Sequence, residues 1–196
     1  RSQMRDLLEA CDRWAAVRCD QVVDVQVGKK LSPERRTGLR PRPYLRAAHL
    51  RGTHVDLTDL KEMDFTEDEE ESLAIRPGDV LLVEGGNRDS VAAPTFIDWQ
   101  PEPALFIQNS IVRLRPRDHA HLDSRFVYWQ WRARFEAGEF ERQAVGTKLY
   151  HFGPGRVAAS LLSVPSAGIQ RQWSERLDAT FAAGQAINQH RLHSRS

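Results

Sequence analysis

Asp79 and Glu84 flank a short apolar run, and two carboxylates on either side of a strand can hold Mg²⁺ for phosphodiester cleavage. A nuclease core of that kind wants a lysine two residues further on, where this sequence has Gly86, so Asp79 is better assigned to the turn Arg76-Pro77-Gly78-Asp79. His119 and His121 flank Ala120 in a polar stretch, and two histidines without a third ligand bind metal weakly. Gly85-Gly86-Asn87-Arg88 could offer backbone amides to a phosphate. It lacks the spacing and lysine of a nucleotide-hydrolysing loop, and reads either as a loop that touches a phosphate backbone or as a plain turn. The two cysteines, Cys11 and Cys19, can build neither a disulfide framework nor a four-cysteine zinc site. No catalytic residue, metal site or cofactor is expected.

The charge distribution offers a different chemistry. The formal net charge is only +1, yet Lys29 to Arg51 holds eight basic residues (Lys29, Lys30, Arg35, Arg36, Arg40, Arg42, Arg46, Arg51) against Glu34 alone. From Asp56 to Glu71 nine acids face the single Lys61. A basic stripe on a nearly neutral protein attracts phosphates locally without coating every polyanion, which favours a selective polyanion binder; the plainer alternative is that both runs are solvated surface. Lys148, Tyr150 and His151, after Gly146-Thr147, form a second polar and aromatic loop.

These residues need elements to carry them. Ser2 to Val17 has apolar residues at the three-and-four spacing of an amphipathic helix, and Val22, Val23, Val25 and Val27 run into Gly28 and a Pro-, Gly- and Arg-rich loop from Lys29 to Pro43. Tyr44 to Leu50 and His54 to Leu60 read as two strands about a turn at Arg51-Gly52. Thr66 caps a short acidic helix to about Ile75, and Val80 to Val83 is a fully buried strand. Pro94 to Trp99 and Leu105 to Leu114 read as strands, and Leu122 to Phe135 as a helix capped by Asp123. Arg156 to Leu162 reads as a short helix with an extended exit to Pro165. Ile169, Trp173, Leu177, Phe181, Gly184 and Ile187 stripe a long amphipathic helix that needs a partner. Phe126, Trp129, Trp131, Trp173 and Phe181 are core or helix-interface residues. With 196 residues the chain fits one domain with a helical appendage; 40% are hydrophobic and 28% charged, and no run approaches a membrane span. Two cysteines make a reducing cytoplasm the default, no basic-then-apolar leader follows Arg1, and the missing initiator Met suggests a fragment or a renumbered chain.

Several stretches, in order, resemble one target recognition domain and its trailing helix from the specificity subunit of type I restriction-modification systems. They are Pro43 to Gly52 (PYLRAAHLRG), Leu73 to Leu82 (LAIRPGDVLL), Gln108 to Pro116 (QNSIVRLRP), Gly146-Thr147, and Val164 to Gln172 (VPSAGIQRQ). In the last, Ser166 and Arg171-Gln172 stand where that family usually has a second proline and a Glu-Gln pair.

The resemblance implies an α/β (mixed α+β) fold. A globular target recognition domain with a mostly antiparallel twisted sheet and short helices would follow a leading N-terminal helix and precede a long C-terminal spacer helix. The corresponding boundaries are 1–17, 18–166 and 167–196. The implied function is non-enzymatic reading of one half of a bipartite double-stranded DNA site. Lys29, Lys30, Arg35, Arg36, Arg40, Arg42, Asn87, Arg88, Lys148, Tyr150 and His151 would meet DNA, and Trp173, Leu177, Phe181 and Ile187 a partner helix. A methyltransferase subunit would supply the S-adenosylmethionine site, and a second recognition domain or second copy would complete the reader. The alternative is a protein-interaction module that tethers defence-complex subunits through its helices without reading DNA.

Overall fold

Val80–Val83 is buried at every residue because the strand it forms is covered on both faces. The computed structural model describes residues 3–32, 38–143 and 150–193, with side chains followed to residue 186. Its elements are α1 (Gln3–Cys11), β1 (Ala16–Arg18), α2 (Cys19–Val22), β2 (Val23–Val27), β3 (Pro41–Leu45), β4 (Lys61–Asp64), α3 (Glu67–Leu73), β5 (Val80–Val83), β6 (Gly85–Gly86), β7 (Pro94–Phe96), β8 (Phe106–Ile107), β9 (Ile111–Pro116), α4 (Ser124–Glu136), α5 (Glu139–Gln143), β10 (Tyr150–His151), α6 (Pro154–Ala159), β11 (Leu161–Ser163) and α7 (Ala167–His193). No helix among the described residues is long and apolar enough to cross a membrane.

The central sheet has the order β2-β9-β5-β7 and is antiparallel throughout. Strand alternation splits β5 between two cores. Val80 and Leu82, with Val112 and Leu114 opposite, join the helical layer containing Leu7, Phe126 and Val157. Leu81 and Val83 join the second sheet, β4-β3-β8, and its cover α3, through Leu45, Phe65, Phe106 and Ile75. In that second sheet β3 and β8 run parallel. The architecture is therefore mixed α+β and mostly antiparallel.

Local chemistry sets the element ends. Thr66 and Glu69 form a reciprocal capping box that starts α3, and Asp123 accepts from Phe126 N at 2.7 Å to start α4. Three sequence expectations are corrected. His54 to Leu60 is not a strand beyond a single bridge, Leu50 to Val55. The Asp56 carboxylate instead accepts from both the backbone N and the hydroxyl of Thr58, holding a turn in place of a ladder. The expected loop to Pro43 gives way to β3 at Pro41, because β8 joins only from Tyr44, leaving Pro41 and Pro43 on an edge that needs no amide donors. The leading helix stops at Cys11, since Ala16–Arg18 is drawn into a ladder with Leu161–Ser163.

The stripe on α7 is covered within the chain as far as Phe181. Trp173 meets Trp14 edge-on at 6.5 Å, Leu177 is buried, and Phe181 packs on Trp129 at 5.7 Å. Polar ties fix the same helix. Gln170, fully buried, accepts from Asp123 N and donates to the carbonyls of His121 and Pro165. Asp178 accepts from both Arg125 Nε and Trp129 Nε1. Leu177→Ala should therefore cost about 2–5 kcal/mol in urea unfolding, and half-buried Trp173→Ala about half of the ~3–5 kcal/mol of a fully buried tryptophan. The side chain of Ile187 lies outside the described residues.

Candidate nucleic-acid interface

Strands β2 and β5 flank β9 and run in the same direction, so both leave the central sheet at the end where β9 begins. Gly28-Lys29-Lys30 leaves from β2, Glu84 to Arg88 from β5, and Gln108-Asn109-Ser110 enters β9 there. Gly28 is what lets the first of these lie against the third: a Cβ on it would sit 2.4 Å from the carbonyl oxygens of Ile107 and Gln108. The backbone then closes the corner, with Lys29 N donating to Ile107 O and Asn109 N to Lys29 O.

Tyr150–His151 pairs antiparallel with Gly85–Gly86, which brings the two polar loops of the sequence together. The approach is close, since a Cβ at Gly85 would fall 2.9 Å from His151 Nδ1 and the imidazole would have to shift. His151 Nδ1 stands 3.3 Å from the Glu84 carboxylate, and Phe152 N donates to Glu84 O. Arg88 pairs with Glu141 at 2.8 Å while its guanidinium lies 6.0 Å from the Tyr150 ring. The side chain of Asn87 shapes the turn by accepting from Asp89 N. Asn87, Arg88 and His151 are all exposed, as is Lys30 on the neighbouring loop. This sheet end thus presents cations, amides, an imidazole and a ring together, a set that suits phosphates and base edges.

The other basic residues are placed differently. Lys29 Nζ turns inward, donating to Asp64 O and pairing with Glu69 above the Phe65 ring. Arg40 pairs with Glu67 and Glu70, and Arg42 with Glu70. Arg46 pairs with Asp59 and Arg51 with Asp56. The basic and acidic runs of the sequence are thus partners in space. Arg35, Arg36 and Lys148 lie outside the described residues.

Sequence reading missed Gln108, Asn109 and Ser110 as part of this corner. The Gln108 side chain donates to Asn109 Oδ1 at 2.6 Å and accepts from the Ser110 hydroxyl, a local network that a run of three polar residues at a strand entry could have signalled.

Of the two carboxylates considered for catalysis, Glu84 faces His151 at this sheet end and Asp79 is held apart from it in the core. Asp79 is fully buried and accepts from Arg115 at 2.7 Å and from Arg76 N at 2.8 Å. Burial pushes the Cys11 thiol up to about 11 and that of Cys19 to about 12, so neither is a thiolate near neutral pH. No group of three metal-ligating side chains occurs among the described residues.

No protein-family model matches the sequence, and no curated protein does. Solved structures do. A chain from a structure of complex assembly and conformational transition in the type I R-M system aligns over 98% of this chain and 51% of its own, with a TM-score of 0.67 at 15% identity. The HsdS subunit from Thermoanaerobacter tengcongensis aligns over 96% and 45%, with a TM-score of 0.65 at 16% identity. The type I restriction-modification S subunit from M. genitalium aligns over 85% and 38%, with a TM-score of 0.51 at 16% identity. The chain spans about half the length of the first of these. Together these likenesses show that the chain has the target-recognition-domain fold of type I restriction-modification specificity subunits.

Proposed function

We propose that this chain is a DNA sequence-recognition subunit, or half-subunit, of a type I-like restriction-modification or related phage-defence methylation complex. Residues 18–166 read one half of a bipartite site, while the helices at 1–17 and 167–196 hold the methyltransferase subunit and the second reader. The chain itself is not an enzyme. Chemistry, and the S-adenosylmethionine it needs, belong to the methyltransferase. The observation that carries this reading is the convergence of Arg88, Tyr150, His151 and Lys30 at one end of the central sheet, on a fold shared with specificity subunits.

The pairing of the basic run with the acidic run favours a second reading, a tethering module that binds no DNA. The two separate on salt, because DNA binding weakens steeply with ionic strength and apolar helix docking does not. Fluorescence anisotropy on a duplex carrying the methylated motif of the native host tests them. Replacing Arg88, Tyr150 and His151 together by alanine should lower affinity by about 100-fold or more, at roughly 1–3 kcal/mol per lost contact. Salt-independent association, or no association, would support the tether.

A further inference from the structure

Every described cation from Arg40 to Arg51 has an acid from the segment 56–70 as its partner. We infer that the acidic N-terminal half of α3 occupies the place of phosphates at the start of β3, where β8 does not reach, and so masks Arg40 and Arg42 from DNA until a bound duplex displaces it. The inference rests on the DNA-reading function proposed above and concerns how that function is kept selective.

Three features support a mask over a plain structural pairing. The first is geometry. Glu70 pairs with both Arg40 and Arg42, at 3.0 and 3.1 Å, so one carboxylate holds two cations as a bridging phosphate would. The second is exposure. The Arg40 and Arg42 side chains are 38% and 39% exposed, Glu67 is 81% exposed and the shared Glu70 21%, so the arginines keep an open side on which another anion can exchange with Glu67 first and then compete for Glu70. Lys29, with a side chain only 10% exposed, belongs instead to the fixed part of the fold. The third is position. Lys29 reaches Glu69 while its neighbour Lys30 stands exposed at the candidate interface, so the masked strand borders the corner where DNA is proposed to sit.

Unmasked, two arginines at the start of β3 would attract any duplex. Masked, they add affinity only when a duplex already held at the sheet end brings phosphates to them.

Anisotropy with the full chain and a random-sequence duplex tests this. Glu67→Gln with Glu70→Gln should raise affinity about tenfold at 0.1 M salt and steepen the salt dependence by about 2 in log–log slope, one step for each freed arginine. Adding Arg40→Gln and Arg42→Gln to that variant should return both quantities to the wild-type values. Neutralising Asp12 and Glu175, which carry equal charge just past the end of α1 and on α7, should leave the slope unchanged. A gain that survives loss of Arg40 and Arg42, or that Asp12→Asn with Glu175→Gln reproduces, overturns the mask. So does the absence of any gain when the wild type binds DNA, and that result leaves the DNA-reading function standing. If neither wild type nor variant binds at low salt, both readings fail.

Discussion

Asp79→Ala is expected to destabilise the chain by about 3–5 kcal/mol, the loss that follows when one member of a buried ion pair is removed and the other stays. Asp79 has no exposed surface and accepts from Arg115 Nε at 2.7 Å, Arg115 Nη2 at 2.9 Å and Arg76 N at 2.8 Å. Its loss reaches further than those three bonds. Arg113 lies beside Arg115, buried, donating to Asp24 and to Ser72 O at the end of α3. Burial already depresses the Arg113 guanidinium, the charge of Arg115 depresses it further, and Asp79 opposes both. Without Asp79, Arg115 loses its carboxylate partner while Arg113 keeps Asp24, and the repulsion between the two guanidinium groups is no longer offset. Urea unfolding measures the effect, and a loss below about 1 kcal/mol would remove this pair as an anchor between β5, β9 and α3.

Seven residues inserted in α7 near Gln185 should change the spacing of the recognised sequence and leave its half-site bases as they are. The insertion point lies beyond Phe181, the last side chain of α7 packed on a ring of α4, and residues 182–186 are exposed. Seven residues add two turns, so the face of the helix is kept while its length grows by about 10.5 Å. At about 3.4 Å per base pair that corresponds to roughly three more base pairs between half-sites. Sequencing the methylated motifs before and after the insertion measures this. Altered half-site bases with a fixed spacing would contradict the division of labour between globular domain and helix.

Much of the scaffold was legible in the sequence where one physical cause acts locally. Val80–Val83 reads as a buried strand because four apolar residues in a row leave no solvent face, and Thr66 and Asp123 read as caps because their oxygens satisfy amides within three residues. What stayed hidden depends on partners far along the chain. Gly85–Gly86 carries no strand signal, and only its pairing with Tyr150–His151 makes it one. Pro41 and Pro43 argue for a loop until β8 is seen to stop short of them. The charge runs were visible as opposites, but their spacing gave no sign that Arg40 and Arg42 share Glu70. For the candidate interface, the sequence supplied the residue types at 87–88 and 150–151, and the fold supplied their meeting.

The most direct measurement is methylome sequencing of the native host with the gene intact, deleted, and restored with either the wild-type chain or the variant carrying alanine at Arg88, Tyr150 and His151. The account predicts that one bipartite motif loses methylation on deletion, regains it with the wild-type gene, and fails to regain it with the variant. An unchanged methylation pattern after deletion, or full restoration by the variant, would contradict the claim that this chain reads DNA through that end of its central sheet.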